Sequence, residues 1–260
     1  MKLGDAGIDV SAWRLVLELD DADLLGPSNI FDPSTHNATV AWQAARGLKA
    51  DGVVGEKTRA AINVEVIARP QVLFDLRSMP FVEAAHWSRG IGAVPKNLIV
   101  LHSMEAAEAS TTAENVAAWF AGLRGPAPRT SAHYCCDADS VICCVPPERI
   151  AWHAPGANGR GIGIEMAGYA RQSRAQWLDD FSLRMLMLTA ELTAYLCDRF
   201  AIPIAFIGAE HVKRGASGIT THAEVTKAYP DKGTHWDPGP HFPVAEYLRF
   251  TTDAHARLPR

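Results

Sequence analysis

The sequence predicts a mixed α/β domain, a central sheet flanked by helices, preceded by a small all-α N-terminal domain of three helices. Three observations carry this. Leu98–Leu101 and Gly161–Met166 are short, apolar runs, as expected of strands buried inside a sheet. Phe181–Phe200 places Leu183, Leu186, Ala190, Thr193, Ala194 and Cys197 along one face of a long helix. The first 66 residues carry a weak internal repeat, each copy a tight turn followed by a helix start.

In that repeat, Ser28-Asn29-Ile30-Phe31-Asp32-Pro33-Ser34-Thr35, then Ala38, aligns with Asp51-Gly52-Val53-Val54-Gly55-Glu56-Lys57-Thr58, then Ala61. Asp51-Gly52 and Gly55 are expected to supply positive-φ positions, and Thr35 and Thr58 to offer hydroxyls to orphan amides at helix N-termini. Ala38, Trp42 and Ala45 recur at helical spacing, and Gly47 stops that helix. Residues 67–95 read as a connector punctuated by Pro70, Pro80, Gly90, Gly92 and Pro95, with Phe74, Phe81 and Trp87 suited to packing on something.

Residues 96–260 form the second domain. Thr111-Thr112-Ala113-Glu114 resembles a capping box opening a helix through Val116, Trp119 and Phe120. Ser131–Val145 reads as a hairpin turning at Asp137–Ser140. In Gly161–Met166 small residues alternate with large ones. Ile202–Ile207 is short and apolar, with a Gly-rich connection to His222, and Val244–Arg257 is a closing helix.

Composition limits the partners. A chain of 260 residues, 48% hydrophobic and 21% charged, buries a substantial core. A formal net charge of -4 gives no basic field for nucleic acid or anionic lipid. No stretch approaches the ~18 apolar residues of a membrane helix, so membrane insertion is not expected. Met1–Gly7 lacks the apolar core of a secretory signal, which implies synthesis in the cytosol with no export address. The default assembly is a monomer. Five cysteines, an odd number, exclude a fully paired disulfide framework. Cys135, Cys136, Cys143 and Cys144 are expected to be reduced strand residues; a cross-strand disulfide and a cysteine metal cluster are the alternatives.

Three residues suggest a metal site: His102, which follows the buried run Leu98–Leu101, His222 after Thr221, and Asp237, whose chain exit is stiffened by Pro238-Gly239-Pro240. Two imidazoles and a carboxylate are suitable ligands for a catalytic Zn2+ with one position left for water. Each is weak alone, since ten histidines offer many accidental trios.

Two resemblances give them context. Trp42-Gln43, Gly47-Leu48, Asp51-Gly52-Val53-Val54-Gly55 and Thr58 resemble the motif of the peptidoglycan-binding module of cell-wall hydrolases. Leu3, Gly4, Gly7 and Val10 also fit, while Arg14 stands where glutamine is usual. The second domain resembles the type 2 zinc N-acetylmuramoyl-L-alanine amidases, relatives of the peptidoglycan recognition proteins. Six blocks carry this likeness: Leu98–His102, Ser131-Ala132-His133-Tyr134, Ala151-Trp152-His153-Ala154, Gly161–Glu165, Thr221-His222 and Asp237–Pro240.

That resemblance implies His102, His222 and Asp237 as zinc ligands, Glu165 as general base and His235, where many relatives carry lysine, as a partner of the oxyanion. It implies substrate contacts from His153, Trp152 and Asn158, and Ala132 stands where some phage members have a tyrosine. The expected substrate is bacterial peptidoglycan, cut between N-acetylmuramic acid and L-alanine. The expected biology is that of a phage endolysin held in the host cytoplasm until a holin opens the membrane. A cytosolic amidase recycling wall fragments and a non-catalytic recognition protein are the alternatives. Two decoys fail on context: His222-Ala223-Glu224 lacks a following Pro-Cys-x-x-Cys, and Val141 and Ile142 spoil a calcium loop at Asp137–Glu148.

Overall fold

A computed structural model of the chain describes residues 2–4, 13, 17, 30–55, 57–58, 61, 79–90 and 95–258. Gly7, Val10, Arg14, Ser28, Asn29 and Glu56 of the N-terminal motifs, and Pro70, Phe74 and Gly92 of the connector, lie outside the described residues. The chain divides into two compact units, Met1–Leu73 with Leu178–Leu183, and Phe74–Trp177 with Arg184–Arg260.

In the first unit, helix α1 (Pro33–Ala45) begins where Asp32 Oδ1 accepts the Thr35 amide at 2.8 Å. The cap expected of Thr35 thus comes from the preceding carboxylate, to which Thr35 Oγ1 also donates at 2.7 Å. Gly47, at φ 65, follows the helix end. Gln43 is 1% exposed and clamps the next turn. Its Oε1 accepts the Gly52 amide at 2.9 Å, and its Nε2 donates to Val53 O and Thr58 Oγ1, each at 3.0 Å. Gly52 has φ 67, and a Cβ there would stand 2.1 Å from the His36 ring, so only glycine fits. Gly55, expected to match it, takes no positive φ. Trp13, Leu17, Phe31, Trp42 and Val54 form the core, with Trp13 Nε1 donating to Thr39 Oγ1 at 2.7 Å. The motif residues hold this unit together.

The second unit is built on a five-stranded sheet in the order β4-β3-β6-β2-β7: β2 is Leu98–Ser103, β3 Tyr134–Cys136, β4 Val141–Cys143, β6 Gly161–Met166 and β7 Gly218–Thr221. Strand β2 runs parallel to β6 and β7, β6 parallel to β3, and β3–β4 is the expected antiparallel hairpin. A separate two-stranded pair joins β1 (Trp87–Ser88) to β5 (Ile150–Ala151). Ala84 sits in the same core cluster as Ala113, Phe120 and Cys135, so this part of the connector is packed into the unit. The helices are α2 (Thr112–Phe120), α3 (Asp180–Phe200), α4 (Ala209–Lys213), α5 (His222–Ala228) and α6 (Val244–Ala256).

Alternation along the strands explains the small-large pattern of β6. Leu98 and Val100 pack with Ala154, Val212, Val225 and Ala228, which places β2's even-numbered residues on one face of the sheet. Register pairs them with Gly161 and Gly163, and pairs His102 with Glu165. Ile99, Leu101, Ile162, Ile164 and Met166 are buried on the opposite face. The glycines therefore leave room above one face, over the N-terminal half of β6.

Two local expectations are corrected. Thr111 makes no side-chain cap bond; Asp137, from the hairpin turn, accepts the Ala113 amide on Oδ2 at 2.9 Å and the Asp139 and Ser140 amides on Oδ1. The Gly-rich connection before His222 contains helix α4 and strand β7. All five cysteines are free thiols, Cys135 and Cys144 lying 3.7 Å apart at sulfur. Burial pushes the thiols of Cys135, Cys136, Cys143 and Cys197 up, Cys143 to about 12, as expected of packed, unreactive side chains.

Candidate metal centre

Among the described residues, His102, His222 and Asp237 bring one ligand atom each within 4.8 Å of one another. His102 comes from the C-terminal end of β2. His222 opens α5 directly after β7, where Thr221 caps the helix by accepting the Glu224 amide. The ends of adjacent parallel strands thus deliver both imidazoles to one edge, the usual place for a site in such sheets. Asp237 is docked to the same edge, its carbonyl accepting the Ala223 amide at 2.9 Å. Two residues on, Gly239 at φ 95 lies against the Ala170 carbonyl, where a Cβ would stand only 1.8 Å from the oxygen.

The Asp237 carboxylate bridges the histidines: Oδ2 is 3.0 Å from His102 Nδ1 and Oδ1 is 3.1 Å from His222 Nδ1. Burial alone would raise the Asp237 pKa, but the hydrogen bonds to His102 and His222 outweigh it and hold the carboxyl far below its ordinary range. Burial lowers the pKa of His222. An ionised carboxylate and imidazole lone pairs are what a divalent cation requires. Ligand arms of ~2.0–2.2 Å in a tetrahedron separate ligand atoms by ~3.3–3.6 Å, a few tenths more than the two carboxylate–imidazole distances here. The residues fit a metal ion.

Glu165 lies beside this group, in register with His102 on β2 and Cys135 on β3. Its Oε2 is buried without a hydrogen-bond partner. Burial, then the carboxylates of Asp237 and Glu105, raise its pKa well above the ordinary value. His235 is exposed and stacks on His222, ring centroids 4.2 Å apart, with Nδ1 3.7 Å from Asp237 Oδ1, too far for a hydrogen bond. Burial and the neighbouring His222 lower its pKa, so it is neutral at pH 7.

The three residues expected to face substrate are placed differently from one another. His153 is 5% exposed, with Nδ1 3.0 Å from His102 Nε2. Asn158 Oδ1 accepts the amides of His153 and Ala154 at 3.0 and 2.6 Å, fixing the turn. Trp152 is half-buried and its Nε1 donates to Ser88 Oγ at 2.8 Å. Glu224 serves the helices, accepting the Ala209 amide at 2.8 Å and pairing with Lys227.

Sequence reasoning missed Glu105 and His133. Glu105 has φ 51, rare outside glycine, and its Oε1 accepts from Ser103 Oγ at 2.8 Å and the Ala170 amide at 2.7 Å. It ties together the chain segments leaving β2 and β6, and no local pattern announces a glutamate in that conformation. His133, within the block Ser131-Ala132-His133-Tyr134, packs edge-on to His153 at 5.5 Å.

The family model described as N-acetylmuramoyl-L-alanine amidase matches residues 92–240, more than half of the chain, and that of a putative peptidoglycan binding domain matches residues 18–62. No curated protein matches. Among solved structures, the Staphylococcus aureus hydrolase AmiA in complex with its ligand is 17% identical with TM-score 0.51, over 78% of this chain and 91% of that one. A Se-Met AmpD derivative is 19% identical with TM-score 0.49, over 66% and 93%. A mutant endolysin from Bacillus subtilis is 16% identical with TM-score 0.44, over 68% and 98%. The likeness to AmiA is one of fold, and the family assignment rests on the matched model: the chain belongs to the N-acetylmuramoyl-L-alanine amidase family and carries a peptidoglycan-binding domain ahead of the catalytic one.

Proposed function

We propose that this amidase is an endolysin: residues 1–66 hold polymeric peptidoglycan, 67–95 connect, and 96–260 cut the amide between N-acetylmuramic acid and L-alanine at a zinc site formed by His102, His222 and Asp237. The convergence of these three side chains beside the partnerless Glu165 oxygen is the observation that carries the chemical part. Bound there, zinc supplies Lewis acidity for the scissile carbonyl and acidifies water. Glu165 accepts the proton of the attacking water and returns it to the departing alanine nitrogen. Its raised pKa makes it a stronger base than a solvated carboxylate. His235, neutral and exposed on His222, offers an N–H to the developing oxyanion. Trp152 and Asn158 belong to the substrate wall.

The binding domain supports action on intact wall by raising the enzyme's effective concentration at an insoluble polymer. No helix among the described residues is long and apolar enough to cross a membrane, and the proposed route to the wall is release from the host cytoplasm through a holin. The deciding experiment is mass spectrometry of digested sacculi. Free stem peptides beginning with L-alanine are expected; new reducing or anhydro sugar ends would refute the amidase site. Preference for soluble anhydro-muropeptides over sacculi, or arrival at the wall without a lysis partner, would overturn the endolysin assignment alone.

A further inference from the structure

Behind the metal centre three imidazoles follow one another, and the middle one has no evident structural purpose. His102 and His153 meet nearly perpendicular, ring centroids 5.2 Å apart, with His102 Nε2 3.0 Å from His153 Nδ1. His153 then packs on His133. The His153 ring is tightly housed: Asn158 pins its backbone, and a Cβ on Gly163 would stand 2.5 Å from its Cγ. Among the described residues that ring makes one hydrogen bond, to His102, and its buried Nε2 has no partner. A leucine or phenylalanine would fill such a place without leaving a polar atom unpaired.

Protons can be assigned from the partners. The Gly163 amide donates to His133 Nδ1 at 3.0 Å, so His133 is protonated on Nε2, which faces Arg149 O at 3.2 Å. The facing nitrogens of His102 and His153 are 3.0 Å apart, and a hydrogen bond at that distance holds one proton. The His102–His153 contact therefore has one donor, and which ring supplies it depends on the other nitrogen of His102. A metal ligand at His102 Nδ1 must present a lone pair, which leaves the proton on Nε2.

We propose that His153 is the positioning residue of the metal centre: its Nδ1 accepts the His102 Nε2–H and holds His102 in the tautomer whose Nδ1 lone pair faces Asp237 and His222. This rests on the metal reading above. It has a consequence for the metal-free protein, where Asp237 draws a proton onto His102 Nδ1 and the bond reverses, His153 Nδ1–H donating to His102 Nε2. Metal loading changes the tautomer of both rings with no net gain or loss of protons in this pair. Gly161 and Gly163 are then the space that lets His153 reach His102 from above the sheet.

The test uses the full chain, zinc and a competing chelator. His153→Leu, which lacks an acceptor, is expected to weaken zinc binding by about 10–100-fold. His153→Asn, whose side-chain oxygen occupies nearly the position of Nδ1, is expected to restore most of that loss. Nitrogen-15 imidazole spectra of the zinc-loaded wild type should show Nε2 protonated on both His102 and His153, and chelation should move both protons to Nδ1. Zinc affinity of His153→Leu equal to that of the wild type, or a zinc-loaded wild type with His153 protonated on Nδ1, overturns the proposal while the metal reading stands. A wild type that binds no zinc overturns both. The spectra of the wild type decide the matter even if His153→Leu fails to fold.

Discussion

Replacing Gly163 by alanine probes the packing behind the metal centre with a single methyl group. The added Cβ would lie 2.5, 2.6 and 2.9 Å from Cγ, Nδ1 and Cδ2 of His153, each closer than such carbon atoms are found. The ring has little freedom to yield, because Asn158 holds its backbone and His133 packs edge-on to it. Reaching ordinary contact near 3.5 Å requires His153, or β6 itself, to move by about 1 Å, and overpacking of this kind costs ~1–3 kcal/mol. For a domain of this size each kcal/mol lowers Tm by ~2–4 °C, so a fall of roughly 2–12 °C is expected. The shift also pulls His153 Nδ1 away from His102, so zinc affinity should drop with Tm. Gly159→Ala is the control: nothing lies within 4 Å of its Cβ position, and a change within ~0.5 kcal/mol is expected. Thermal and denaturant unfolding of the metal-free proteins, followed by chelator competition, measure both effects. A Gly163→Ala protein as stable as the control would refute the packing argument.

Other perturbations test separate steps. Glu165→Gln removes the proton acceptor and should lower kcat about 10²–10⁴-fold while zinc content is unchanged; loss of zinc instead would make Glu165 part of the ligand set. Lys96 donates to Gly161 O at 2.8 Å, and burial lowers its pKa from 10.5 to about 8. Between these two pH values the unfolded chain holds a proton that the fold has released, so stability should rise with pH by up to ~3 kcal/mol, a rise that Lys96→Met abolishes. Denaturant titrations of both proteins from pH 7 to 11 measure it, and parallel curves would contradict the assignment. Asp137→Ala removes the acceptor of the α2 amide and of the hairpin turn together, and should cost ~1–3 kcal/mol in the same unfolding assay.

What the sequence revealed depended on whether a residue's partner lies nearby in the chain. The turn at Asp51-Gly52, the end of α1 at Gly47 and the hairpin at Asp137–Ser140 are set by local dihedral chemistry, and they stand where their residues predict. Capping departs from the local pattern where a better acceptor is available. At α1 the Asp32 carboxylate takes the amide expected of a threonine, and at α2 the acceptor comes from Asp137, 24 residues away, while Thr112 Oγ1 donates to Ala107 O. Strand β7 escaped notice because Gly218-Ile219-Thr220-Thr221 is too short and polar to read as buried; β2 along its flank makes it one. In the local pattern the metal trio is visible only as residue types, and the family resemblance is what singles it out. Its convergence follows from pairing of distant strands, which no local window contains.

That pairing also explains how a core can enforce chemistry. His102 and Glu165 are neighbours because β2 and β6 are in register, and His222 follows Thr221, the partner of Leu101. A slip of one residue would turn Glu165 and the two glycines to the other face. It would also bring Ile162, Ile164 and Met166, all at 0% exposure, towards the space occupied by His153, at a cost of ~1.5–3 kcal/mol for each side chain left unburied. The large residues of β6 thus fix the register that its small ones and Glu165 require. Substitutions at Ile162 or Ile164 that loosen the opposite face should therefore reduce metal affinity without touching a ligand, an effect absent for equally destabilising substitutions in the Trp13–Trp42 core of the first unit.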